Sequence, residues 1–238
     1  MVRSTPPIDT PINMPINTPT YLRLRDQIRT DIEDGCWRLG QHLTLHELSV
    51  HYSVSNVPVR EALLQLQGDG MVDMRMNKGA VVRAVDARFI DEYFDVREAL
   101  QSMLLSRACR AAWASSAQTL ASVTALLRPL EEATRFGRVR ELLAADEALQ
   151  AHLGYLGGND QALRMQASRG RLLEAFRRAR VALWAPELEI LVVQGEAMLQ
   201  ALRHADPVIA GEAVRRHVAA SRAYMTRLLK VPETRAPK

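Results

Sequence analysis

The sequence predicts a mainly α fold: a small N-terminal winged helix-turn-helix followed by an all-helical bundle. Three observations carry that expectation. The run Val54-Ser55-Asn56-Val57-Pro58-Val59-Arg60-Glu61-Ala62-Leu63 reads as a tight turn opening a helix, behind an apolar-periodic segment with Leu45, Leu48, Val50 and Tyr52. A short strand pair turning at Asn77-Lys78-Gly79 follows it. After Val85 the helical periodicity continues with no strand signal.

Each element has a local reason. Tyr21, Leu24, Ile28 and Ile32 repeat at helical spacing from Thr20, and Gly35 stops that helix. The stretch from Gly35 to Leu43 is expected as a loop folded back on the core by Trp37 and Leu39. Thr44 with Glu47 three residues later forms a capping box for the second helix. Ser55 or Asn56 caps the third, with Pro58 in its first turn, where a missing N–H does little harm. Strands are expected at 72–74 and 80–82. Asp86 caps a long helix reaching 114, and further helices are expected at 117–134, 138–155, 160–183, 187–204 and 208–230. Met103, Leu104, Met165, Leu183, Trp184, Met198 and Leu199 read as core of this bundle.

The chain has 238 residues, 47% of them hydrophobic, enough for two ordinary domains. The expected division is a Pro-rich disordered tail over 1–18, a domain over 19–85, a helical domain over 86–231 and a second disordered tail over 232–238. The net charge is +4, but 9 Lys/Arg and 9 Asp/Glu fall within residues 1–85. The N-terminal domain therefore has no charge surplus, and any DNA contact must come from local placement of cations. Cys36 and Cys109 have neither disulfide-framework nor metal-ligand spacing, which points to a reducing cytoplasm. No apolar run reaches the roughly 18–20 residues of a membrane helix, and the N-terminus lacks a signal-peptide pattern.

Helix, turn, helix and hairpin in this order let a helix enter the major groove of double-stranded DNA. The third helix presents Asn56, Val57, Arg60 and Glu61 near its N-terminus. Arg60 is placed to pair with a guanine edge, and Asn56 with adenine or a phosphate. Ser55 suits a phosphate, His46 lies at the start of the second helix, and Lys78 and Gly79 form a wing tip that can approach the DNA backbone. Val59, Leu63 and Leu66 read as core.

Residues 20–85 resemble the DNA-binding domain of the GntR family of bacterial transcription regulators. The resemblance rests on Gly35, Leu39-Gly40, Leu43, Glu47-Leu48, Val54-Ser55, the run Pro58 to Leu63, Leu66, Gly70-Met71-Val72 and Asn77-Lys78-Gly79-Ala80. Two positions depart from the family: Asn56 and His46 stand where arginine is common. Residues 88–230 resemble the helical ligand-sensing domain called FCD, on Val96 to Leu100, on Asp146 with Gly158 to Leu163, and on Ala205-Asp206-Pro207 leading to His217.

The FCD resemblance implies a small carboxylate effector held with a divalent metal (Zn or Ni) by an Asp and three His. Asp146 and His217 match two of these ligands. Gln150 and Gly195 occupy the other two positions, so the ligand set is incomplete. His152 lies about 120° around its helix from Asp146, and His204 about 180° from Gly195, so neither replaces a missing ligand. The alternatives are a metal-free effector site built from Arg97, Asp146, Gln150, Gly195 and His217, or an ordinary buried pairing of Asp146 with His217. Within the basic stretch Arg164, Arg169, Arg177, Arg178 and Arg180, most side chains are expected at the surface.

The expected protein is a cytoplasmic repressor, homodimeric and bound to a palindromic operator, with a small metabolite, an organic acid, as effector. No definite cofactor is expected; a divalent metal (Zn or Ni) would have only the incomplete ligand set of Asp146 and His217. Two other readings stand beside it: a regulator whose helical domain only dimerises, and a metal-dependent enzyme using Asp146, Glu147, His152 and His217, although no HExxH, nucleophile elbow or phosphate loop is present.

Overall fold

The computed structural model describes residues 18–76, 78–111, 113–180 and 183–233, the side chains of Ser168 and Arg169 excepted. The expected tails therefore lie outside the described residues, apart from Thr18 and 232–233, as do Asn77 of the wing tip and the Arg169 side chain. The described residues form two compact units, one of 18–85 with 168–179, the other of 86–167 with 180–233.

The first unit contains α1 (Thr20–Glu33), β1 (His42–Leu43), α2 (Leu45–His51), α3 (Asn56–Gly68), β2 (Val72–Arg75) and β3 (Gly79–Val82). The strands form an antiparallel sheet in the order β1-β3-β2, with Val72 opposite Val82 and Leu43 opposite Ala80. β1 lies in the stretch expected as loop. Two residues are too few to show an alternation, so only the pairing to β3 reveals the strand. The capping box at α2 is present: the Thr44 hydroxyl accepts from the Glu47 N–H at 3.1 Å, and the Glu47 carboxylate accepts from the Thr44 N–H at 3.4 Å. Leu24, Ile28 and Ile32 of α1, Leu48 of α2 and Val59, Ala62, Leu63 and Leu66 of α3 are buried, with α3 packed against both α1 and α2. Each fully buried leucine there contributes about 1.5–3 kcal/mol. The C-terminal turns of α7 (Asp160–Arg178) belong to this unit, with Arg171 3.2 Å from Glu33 and Arg178 3.5 Å from Asp34.

The second unit contains α4 (Ala87–Cys109), α5 (Ala117–Arg135), α6 (Val139–Leu156), the first turns of α7, a 3-10 turn (Pro186–Leu188), α8 (Glu189–Arg203) and α9 (Pro207–Leu228). α9 packs against both α4 and α8, while α5 packs against α6 and α8. Asp86, Ser116 and Asp206 cap α4, α5 and α9 with their side chains, satisfying first-turn N–H groups that have no helical partner. α4 ends at Cys109, short of 114, and α7 ends at Arg178, short of 183. A single antiparallel bridge joins Arg180 to Glu233, where no strand signal was read.

Three members of the expected core are corrected. Met165, Leu183 and Trp184 are 53%, 42% and 40% exposed, whereas Leu104, Met198 and Leu199 are buried. The reason for Leu183 is the early end of α7: it falls outside the helix expected to reach it, and Trp184 follows in the same non-helical stretch.

Candidate nucleic-acid interface and buried polar cluster

α3 separates two faces. Val59, Ala62, Leu63 and Leu66 are wholly buried, while Asn56, Val57, Arg60, Glu61 and Leu64 are exposed. The fold thus leaves the N-terminal part of α3 open along one side, the side a recognition helix presents to a groove. Ser55 is the N-cap of α3, but its side chain makes no capping hydrogen bond. His46 on α2 and Lys78 at the wing are also exposed.

Gly79 is different, set apart by its backbone within the sheet. It is buried with φ 88°, and a Cβ built on it would lie 2.1 Å from the Leu43 carbonyl oxygen. Glycine is needed there because β3 runs against the β1 backbone.

A buried polar chain also supports this surface, and the sequence reading missed it. The Trp37 indole N–H donates to the Tyr52 hydroxyl at 2.7 Å, and that hydroxyl donates to Asp31 at 2.5 Å. The Gln27 amide donates to the other Asp31 oxygen at 3.2 Å. Burial, with the Asp31 charge beside it, raises the Tyr52 pKa and keeps the hydroxyl a donor. The His51 ring packs edge-on against both Trp37 and Tyr52. The chain ties the C-cap of α2 to α1. Only the pattern Trp37, Tyr52 and Asp31, three polar-tipped residues in a small domain, hinted at it.

In the helical unit, Gln101 (α4), Asp146 and Gln150 (α6), Gln194 (α8) and His217 (α9) are all buried. Arg97, one turn before Gln101 on α4, is half-buried. His217 Nε2 lies 3.6 Å from Asp146 Oδ2, too long for a hydrogen bond. Burial lowers the His217 pKa; Asp146 pulls it up and Arg97 pushes it further down, so the ring is neutral near pH 7. The Gln101 amide donates to Gln150 Oε1 at 3.4 Å, and the Gln150 amide points to the Met198 sulfur at 3.7 Å. Arg97 Nε, Gln101 Oε1, Asp146 Oδ1 and both His217 nitrogens are buried without a hydrogen-bond partner among the described residues. The cavity beside the glutamines measures about 10 Å³, roughly one water.

Gly195 opens no space beside its helix. A Cβ there would lie 2.7 Å from Leu127 Cδ2 and 3.0 Å from Leu149 Cδ2, so leucines already fill the room. His152 turns to the Ser122 hydroxyl at 2.8 Å, and His204 is exposed as the C-cap of α8. Among the described residues no three His, Cys, Asp or Glu side chains converge. The Asp146 and His217 pair does not fit the metal that the FCD resemblance implies: a tight Zn or Ni site needs more N or O ligands than these two.

Among the described residues no helix is long and apolar enough to cross a membrane. Residues 20–82 match the family described as bacterial regulatory proteins, gntR family, and residues 92–220 match the FCD domain. The chain is 28% identical over 148 residues to the Nta operon transcriptional regulator of Aminobacter aminovorans, covering 62% of this chain and 67% of that protein. It is 32% identical over 92 residues to the gluconate operon transcriptional repressor of Bacillus licheniformis, covering 39% and 37%. The stretches matched in the curated relatives span from 30% to 67% of their own lengths. Among solved structures, Escherichia coli McbR/YncC superposes with a TM-score of 0.66 at 18% identity, over 90% of this chain and 100% of that one, a likeness of fold. The relatives are transcriptional regulators and not enzymes, which removes the metal-dependent enzyme reading. Winged reading helix, helical unit and both domain matches agree: the chain is a DNA-binding transcriptional regulator of the GntR family with an FCD domain.

Proposed function

We propose that this regulator acts in the cytoplasm as a homodimeric repressor, binds a palindromic operator, and releases it when a small organic acid enters the helical domain. The open face of α3 supports the DNA assignment: Asn56, Val57 and Arg60 meet base edges, while Ser55, His46 and Lys78 meet phosphates. Two-fold protein symmetry matches a two-fold site. Repression is supported by the gluconate operon relative, a repressor by name.

The observation that carries effector sensing is the buried polar cluster. Arg97 Nε, Gln101 Oε1, Asp146 Oδ1 and the His217 nitrogens lie together without partners. Buried polar atoms left unpaired cost about 1–3 kcal/mol each, and an acid carrying a hydroxyl or amine would satisfy both signs. Arg97, Asp146, Gln150 and His217 form the site, with no step through a metal. Effector control requires unequal affinity for the two poses of the reading heads.

A second reading is favoured by the small cavity and by the leucines at Gly195: a helical domain that only dimerises. A thermal-shift series with organic acids, followed by gel shifts on promoter fragments next to its own gene, separates the two. An acid that raises Tm and weakens the gel shift supports sensing. No shift with any acid, with DNA binding intact, leaves dimerisation alone. A protein that stays monomeric and ignores these fragments defeats both.

A further inference from the structure

Val57 is unusual for an exposed helix position. The buried stripe of α3 already takes Val59, Ala62, Leu63 and Leu66 to full burial, and amphipathic patterning calls for polar residues opposite. Instead Val57 is 66% exposed and Leu64 50% exposed, with Arg60 and Glu61 between them on the same face. Packing within the described residues does not account for Val57.

Its side chain is also held still. Val57 is the second residue of α3 and precedes Pro58, whose ring crowds the backbone behind it. A β-branched side chain in a helix has essentially one χ1 rotamer. The two methyls therefore stand at a fixed point near the start of the helix, and ordering them on contact costs little entropy. They can neither donate nor accept a hydrogen bond. In the major groove the one apolar feature of a base edge is the C5-methyl of thymine.

We propose that Val57 is a specificity-determining residue that reads thymine through its C5-methyl. The proposal rests on the assignment of the open α3 face to DNA. Arg60 lies three residues further on, about 4.5 Å along the helix axis, close to one base-pair step of about 3.4 Å. The thymine therefore falls in the base pair next to the one Arg60 contacts. Val57 favours thymine over cytosine there, because cytosine offers an amino group and no methyl to an apolar side chain.

The experiment uses the full chain and a duplex selected from a random library. Each half-site thymine is replaced in turn by deoxyuridine, which keeps the pairing and O4 and removes only the methyl. Wild type should lose about four-fold in affinity at one thymine per half-site, the factor expected for one buried methyl-sized group. V57A should bind the thymine and uracil duplexes alike at that position. V57T, which keeps one methyl, should retain part of the ratio. Far-UV CD and melting confirm that both variants are folded. Equal wild-type affinity for thymine and uracil at every position overturns the proposal, as does a V57A protein that keeps the wild-type ratio. The former is also the result expected if this apolar face meets a protein partner. A selection that returns no preferred duplex overturns the reading-surface assignment itself, and the two failures are thereby distinct.

Discussion

Tyr52, the C-cap of α2, donates its hydroxyl hydrogen to Asp31 of α1 at 2.5 Å inside the core of the DNA-binding unit. The same oxygen accepts from Trp37, so one atom joins α1, the following loop and α2. Tyr52→Phe removes that oxygen while leaving a buried carboxylate and a buried indole N–H behind. Such orphaned groups cost about 1–3 kcal/mol, so the variant should melt at lower temperature with weaker DNA binding. Chemical denaturation checks the size; a midpoint equal to wild type would show that the chain carries no net stability.

Gly79→Ala tests what the wing glycine does. Its φ of 88° and the 2.1 Å approach of a Cβ to the Leu43 carbonyl make alanine strained and clashing. A strained backbone position costs on the order of 1–3 kcal/mol before any clash is counted. The expected outcome is a destabilised protein. A G79A protein that melts like wild type but loses DNA affinity would show that the glycine serves the DNA face instead.

Legibility of the sequence varied with the range of the physics involved. The capping box of Thr44 and Glu47, the Asp86 cap and the buried stripe of α3 depend on residues three or four apart, and all appear where expected. β1, Gly79 and Gly195 depend on partners far along the chain: β3, Leu43 and Leu127. Periodicity holds no information about those. Asp146 and His217 were paired by resemblance and do lie together at 3.6 Å, while Gln101 joined Gln150 only in space.

Arg60 and Lys78 should separate in their effects on DNA. Arg60→Ala removes a side chain assigned to a base edge, and should lower specific affinity by roughly ten-fold or more while sparing nonspecific binding. Lys78→Ala removes one phosphate contact per protomer and should flatten the salt dependence by about one unit of slope each. Titrations on selected and random duplexes at several salt concentrations measure both. Equal losses on the two duplexes for R60A would contradict base reading by Arg60.

His217 makes stability depend on pH in a defined direction. Burial holds its pKa below the ordinary value of 6.5, against the opposing pull of Asp146. The unfolded chain therefore takes up a proton near pH 6 that the folded chain refuses. Stability from this site is full above about pH 6.5 and falls as the pH drops through the window below it. His217→Gln, which cannot titrate, should lose less stability than wild type between pH 7 and pH 5 on an approximate scale set by ordinary histidine titration. Melting curves across that range decide it, and wild-type protein dialysed against a chelator adds a control. With Gln150 and Gly195 in place of ligands, chelation should leave Tm unchanged. A chelator-induced fall in Tm, restored by zinc or nickel and absent in His217→Gln, would show that His217 holds a metal with ligands other than those two positions.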